Sequence, residues 1–297
     1  MASYRHLTSL ALVALLPPAA LPGQEAAPAS EPPGWFPSTF VVQPFTGTRT
    51  GVDIGTGPIV TRRDTPAGSG RHSPEADVAF GYRIPVYRFT DGDGGEPLVD
   101  LGLEGGILAR FALGDGLGGL VNSDFRVAFP FGVDMGDWEG RFSPVHVSSH
   151  IGDDFIDQTP GIDPGTSSRN GIETDLMYRI GPAVRVGVGA DYNWAAVGVE
   201  TVGARFGASF DPPGDSGTRF RPIGTLGIHV SDHTSGPGIT AMAGVGLRAR
   251  TGELRLGLVG HAGPSEMGQF RRFDEEYIGL YLSFVPEVIV RSGAGGD

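Results

Sequence analysis

From Ala76 onward, apolar and polar side chains alternate in runs of about ten to thirteen residues, and a period of two restricts the chain to β structure. The run 123–134 alternates without fault, with Phe125, Val127, Phe129, Phe131 and Val133 set against Asp124, Arg126 and Asp134. The same pattern sets Leu101, Leu103 and Ile107 against Asp100, Glu104 and Arg110, and Leu254, Leu256 and Leu258 against Glu253, Arg255 and His261. Runs at 76–88, with Val78, Phe80, Tyr82, Ile84 and Val86 against Asp77, Arg83 and Tyr87, and at 171–180, 184–194, 200–210, 219–231, 239–249 and 276–285 repeat it. With 138–150 and a first run within 51–61, the spacing predicts about twelve strands, an even number as in outer-membrane barrels. They are longer than the ~5–6 residues usual in soluble sheets and long enough to cross a bilayer at a tilt of ~45°. No stretch shows a helical period. The connections at 135–137, 181–183 and 251–252 are tight, whereas 114–122, 150–170, 232–238 and 263–275 are longer and polar. Short turns alternating with long loops distinguish the two ends of such a barrel.

The expectation is therefore an all-β protein: a closed antiparallel up-and-down transmembrane β-barrel occupying 49–286, monomeric, in contact with outer-membrane lipids. A secreted, soluble β-sandwich binding protein is the alternative, with two greasy faces stacked on each other instead of on acyl chains. Arg, Asp, Glu and Tyr would line a narrow lumen, where Arg–carboxylate pairs satisfy one another. The aromatic residues Trp138, Tyr178, Tyr192, Trp194 and Phe210 would form girdles near the strand ends.

Composition removes several other classes. Glycine, 49 of 297 residues, recurs inside the strand-like runs, as tight turns and a crowded small barrel require. The formal charge is −12 and every basic residue is arginine, without a basic patch, which argues against a nucleic-acid partner. The absence of cysteine removes disulfides, thiolate zinc sites and a lipoprotein anchor. Arg5 and His6 precede a short apolar run at 7–16, followed by Pro17, Pro18 and small residues, so 1–23 reads as a cleaved secretory signal. Residues 24–48 read as a Pro- and Ala-rich periplasmic linker and 287–297 as a tail.

Polar chemistry concentrates in one stretch, where His146, Ser148, Ser149, His150, Gly152, Asp153 and Asp154 crowd nine positions. Alternation puts His146, Ser148 and His150 on one face. If the strand is regular, this face is shared with Trp138 and Phe142 and points outward. If Ser143 and Pro144 form a bulge, it points into the lumen, and the two valines beside a strand-breaking proline favour the bulge. Facing inward, the cluster would tie the loop 150–170 to the wall, with Asp153 and Asp154 bonding imidazole or backbone N–H groups. Facing outward, His146-x-Ser148 is similar to the His-x-Ser arrangement of outer-membrane phospholipase A and lipid A deacylase, with Ser148 as nucleophile and His146 as base. Ser149 stands where that motif usually has Asn. A metal site on His146, His150, Asp153 and Asp154 is the third reading, weakened because an i, i+4 pair on a strand lies ~13 Å apart. The expectation is an inward-facing anchor in a structural barrel or narrow small-solute channel, with no catalysis, metal or cofactor.

Three motifs together resemble a family of Gram-negative outer-membrane barrels, domain-of-unknown-function family 1207. They are Leu120-Val121-Asn122-Ser123-Asp124, His146-x-Ser148-Ser149-His150-Ile151-Gly152-Asp153, and Gly268-Gln269-Phe270 leading into Glu276-Tyr277-Ile278-Gly279-Leu280. The resemblance implies an outer-membrane location and brings no established activity. The last strand also resembles an outer-membrane assembly signal through Gly279, Leu282 and the closing aromatic Phe284, which would make the barrel-assembly machinery a partner.

Overall fold

The computed structural model describes residues 33–37, 40, 42, 54–65, 68–90, 97–114, 119–159, 167–213, 220–234, 236–249 and 252–286. The expected signal, most of the linker and the tail lie outside the described residues.

The chain forms β1 (Gly34–Trp35), β2 (Ile54–Thr65), β3 (Gly68–Arg88), β4 (Leu98–Ala112), β5 (Leu120–Ala128), β6 (Phe131–Met135) and β7 (Trp138–Ile151). There follow α1 (Asp153–Gln158), β8 (Ser167–Ile180), β9 (Val184–Val197), β10 (Val202–Phe210), β11 (Phe220–Ser231), β12 (Gly238–Ala249), β13 (Gly252–Pro264) and β14 (Asp274–Pro286). Each wall strand pairs antiparallel with its sequence neighbour, and β14 returns to β2 through pairs such as Phe284↔Ile54 and Ile278↔Val60, closing the cylinder. β5 and β6 are one wall strand, interrupted where Pro130 has no amide to donate; both pair with β4 and β7. With β1 only a two-residue addition to β3, the wall is a closed barrel of twelve antiparallel strands, and the sandwich alternative falls.

Both ends of the wall sequence, β2 and β14, start and finish at one end of the barrel, which also carries the tight turns at Gly136 (φ 81°) and Gly181 (φ 63°). Positive φ is the reason for glycine at both. The loops expected to be long lie together at the opposite, distal end. The connections 89–97 and 211–219, at the terminal end, are longer than the rule anticipates.

The side-chain distribution is inverted relative to a soluble protein. Outward positions hold Phe80, Phe125, Phe206, Leu256, Leu258, Ile278 and Leu280, each 42–65% exposed. Inward positions hold Arg110, Glu104, Arg126, Arg141, Glu173, Asp175, Asp191, Arg205 and Glu275, all nearly inaccessible. These charges satisfy one another across the lumen: Arg126 to both oxygens of Glu173 (2.8 and 2.7 Å), Arg141 to Glu104 (2.7 Å), Arg205 to Asp175 (2.8 Å) and Asp191 (2.7 Å). Arg63 binds Glu275 at 2.6 Å, and Arg110 binds it as well. Bidentate guanidinium geometry explains why the lumen uses arginine as its cation.

Four expectations change. The β2–β3 hairpin extends further distally than 76–88, because Gly68 to Pro74 do not alternate and so carry no strand signal. A bulge between Pro85 and Tyr87 turns Tyr87 outward, opposite Leu101 and edge-on to Trp35 at 4.9 Å, and sends Arg88 into the lumen. Residues 153–158, read as loop, form the short helix α1, with Asp153 and Asp154 in its first turn. Finally, part of the supposed linker lies within the barrel: Val42 is buried against Met177, and a Cβ on inward-facing Gly102 would meet the Phe40 ring at 2.3 Å.

Candidate functional site

Strand β7 decides the orientation of the polar cluster. Its register with β8 runs unbroken from Trp138↔Tyr178 to Ser149↔Ser167, and its register with β5 and β6 is continuous through Pro144. The bulge at Ser143 and Pro144 does not form: the proline's carbonyl still accepts the Phe129 N–H at 3.0 Å. Its missing amide is tolerated on a strand whose alternation continues on both sides, with Ser143 and Val145 buried and Phe142 and His146 exposed. His146, Ser148 and His150 therefore share the outward face of Trp138, Phe142 and the apolar belt. They do not anchor the loop from within, and the inward-anchor expectation is overturned.

Pairing geometry sets which side chains meet. The Arg179 N–H bonds the Asp137 carbonyl directly opposite (2.8 Å), so odd-numbered residues of β7 are hydrogen-bonded to β8. Even-numbered ones occupy the non-hydrogen-bonded pairs, where side chains lie closer. His146 faces Asn170 and Ser148 faces Ser168 in such pairs. His146 Nδ1 lies 2.8 Å from Asn170 Oδ1, and because a carboxamide oxygen only accepts, Nδ1 carries the proton and Nε2 keeps its lone pair. Ser148 Oγ lies 3.2 Å from His150 Nε2, and the His150 ring stands edge-on to Phe125 at 5.8 Å. Asn170 and Ser168 escaped notice in the sequence, although they continue the outward parity of Ile172, Thr174 and Leu176 with polar groups.

Ser149 faces the lumen and anchors a connection from within, but it holds the turn within 263–275 and not the expected 150–170. Its hydroxyl donates to Asp124 and lies 3.2 Å from Asn122 Oδ1; it accepts the Gln269 N–H at 3.1 Å. Gln269 Nε2 donates to the Ser149 carbonyl (2.7 Å), and the Gly268 N–H to Asp124 Oδ2 (3.2 Å). A Cβ on Gly268 would stand 2.8 Å from that of Ser149, so only glycine permits this approach. The 3-10 turn Gly268–Phe270 thus plugs the distal lumen, and Phe270, Met267 and the bulge residue Val121 form a buried apolar cluster lined by Phe155 of α1. Gly152, whose Cβ would meet the Leu120 carbonyl at 1.9 Å, lets β7 pass that strand before α1. The three sequence motifs are parts of a single junction.

Beside the plug, a void of about 90 Å³ is lined by Asp124, Arg126, Asp191, Glu200, His229 and Arg271, among others. Burial would push the Glu200 carboxyl up, but Arg271, which binds it, and Arg169 hold it at about 2. Arg271 is raised in turn: Glu200, Asp124 and Asp191 outweigh its burial. Among the described residues no three His or carboxylate side chains converge on a metal position, and Asp153 and Asp154 are exposed on α1.

No curated protein matches the chain. Among solved structures, a mutant of the Rh. blastica porin is 9% identical, with 78% of this chain and 98% of that one covered and a TM-score of 0.34. Outer-membrane expressed OmpT of Vibrio cholerae is 8% identical (78% and 96% covered, TM-score 0.35), and the CymD monoaromatic hydrocarbon channel 12% (80% and 88%, TM-score 0.33). Scores this low carry no inference about what the barrel does. The family model described as "Protein of unknown function (DUF1207)" matches residues 69–285, and the chain belongs to that family.

Proposed function

We propose that the protein is an outer-membrane lipid ester hydrolase that works on the lipid-facing side of its wall, with Ser148 as nucleophile and His146 as general base. The observation that carries this is the outward-facing His146–Asn170 bond (2.8 Å) beside Ser148, on a face otherwise given to apolar residues. The belt of exposed Phe, Leu, Ile and Val supports the membrane setting, since soluble monomers rarely keep so much contiguous apolar surface in water. Imidazole, hydroxyl and carboxamide groups turned toward lipid cost transfer free energy, and such placements mark functional sites. The cluster lies near the distal end of β7, at the level of ester linkages if that end faces outward, as barrels with both termini in the periplasm require.

The chemistry follows from the residues. Ser148 Oγ attacks the acyl carbonyl carbon while its proton passes to His146 Nε2, and Asn170 holds the ring and stabilises the imidazolium. The tetrahedral alkoxide collapses, the C–O bond to the alcohol breaks, and that oxygen takes the proton from Nε2. Water then attacks the acyl-serine, giving its proton to the same nitrogen; Ser148 regains it as the fatty acid leaves. Ion pairs fill the lumen, Phe40 and Val42 enter it at the terminal end and the 3-10 turn at the distal end, an arrangement that suits a rigid scaffold better than a solute path.

The direct test is a fluorophosphonate probe on the full chain folded in detergent micelles, with the adduct mapped by mass spectrometry. Stoichiometric labelling at Ser148 is expected. Absence of label in a barrel that shows the heat-dependent gel shift of a folded protein contradicts the proposal.

A further inference from the structure

The hydrolase reading leaves unexplained why a lumenal plug should be tied to the one residue between Ser148 and His150. Ser149↔Ser167 is the last rung between β7 and β8 among the described residues, and β7 runs on along β5 to Ile151, two residues before α1. Strand ends open more readily than strand centres, and an opened end loses the relative placement of its outward side chains. Here Gln269 braces that end of the strand from the lumen side. Its side-chain amide bonds the Ser149 carbonyl at 2.7 Å, its main-chain N–H bonds the Ser149 hydroxyl at 3.1 Å, and Asp124, on β5, holds both Ser149 and Gly268. Because Cβ directions alternate along a strand, fixing the inward Ser149 fixes the outward directions of Ser148 and His150 on either side.

We infer that Gln269 is a positioning residue for the outward site: it acts through the barrel wall by clamping Ser149, and thereby sets the placement of Ser148 between His146 and His150. The inference rests on the proposed hydrolase reading and adds to it a residue on the opposite side of the wall, far from any lipid. Other contacts of the plug do not use the Gln269 side chain: the Gly268 N–H bonds Asp124, Arg271 binds Glu200, and Phe270 packs with Val121 and Met267. The turn can therefore stay docked when the amide contact alone is removed.

The test compares Gln269→Ala and Gln269→Met, the second keeping the length of the stem, with the unmodified full chain and Ser148→Ala. Each is folded in detergent micelles, and the heat-dependent gel shift reports folding. The rate of fluorophosphonate labelling at Ser148 and the pH midpoint of that rate are then measured. A displaced nucleophile should slow labelling by about tenfold or more and move the pH midpoint, with the gel shift intact in Gln269→Met. Both quantities within twofold of the unmodified chain, in a barrel whose Ser148 does label, would overturn the inference and leave the hydrolase reading standing. An unmodified chain that takes no label at Ser148 removes both. A uniform loss of gel shift in both Gln269 variants assigns Gln269 to folding alone and also overturns the inference.

Discussion

Ser148→Ala is expected to lower phospholipid or lipid A ester hydrolysis by about a thousandfold or more, the scale on which loss of a nucleophile or its base is felt. His146→Ala should match it, because only His146 has its tautomer set by a carboxamide, through the 2.8 Å contact to Asn170. Asn170→Ala removes orientation and not the base, so a smaller loss of about 10- to 100-fold follows. His150 Nε2 lies 3.2 Å from the Ser148 hydroxyl, and its replacement should cost about tenfold at most. Initial rates on mixed micelles separate the four variants. A His150→Ala loss exceeding that of His146→Ala would reassign the base, and full activity in Ser148→Ala would end the hydrolase reading.

The second large effect concerns stability. Glu173 is fully buried between Arg126 (2.7 Å), Arg169 (3.0 Å) and Arg205 (3.8 Å). Glu173→Ala leaves three guanidinium groups close together with their shared counter-charge gone, while Asp175 and Asp191 still bind Arg205. Removing one partner of a buried pair leaves an uncompensated charge and typically costs about 3–5 kcal/mol. Urea unfolding in lipid vesicles, followed by tryptophan fluorescence, should show a lower midpoint of that order. A change below about 1 kcal/mol would mean that water already solvates this part of the lumen and that the pairs contribute little.

Most of the wall is legible in the chain alone, because a barrel between two unlike environments writes its periodicity into every strand. The faces of Leu254, Leu256 and Leu258, and of Arg126 and Glu173, follow from parity alone. What parity cannot register is a residue that breaks it. The bulge that turns Tyr87 outward has no signature beyond Pro85, while Pro144, which has the same local signature, produces no bulge because both neighbouring strands hold β7 in register. That difference is tertiary, and it reversed the facing of His146, Ser148 and His150. The plug was legible as three separate motifs whose meeting depends on closure of the barrel: Asn122, Ser149 and Gln269 are distant in the chain and adjacent only once the cylinder exists. Asn170 could have been found by extending the outward parity of β8 two residues past Ile172.

A nucleophile presented to the membrane requires the outward face to lie in lipid and the inward face to be sealed from it. The chain has no cysteine, so single cysteines can be placed at Leu256 and Leu258 on the outside and at Thr240 in the lumen, each carrying an environment-sensitive fluorophore. In vesicles containing brominated acyl chains, the labels at 256 and 258 should be strongly quenched and the label at 240 spared. Equal quenching at all three positions, or none at 256 and 258, would contradict a lipid-facing barrel and with it a nucleophile presented to the membrane.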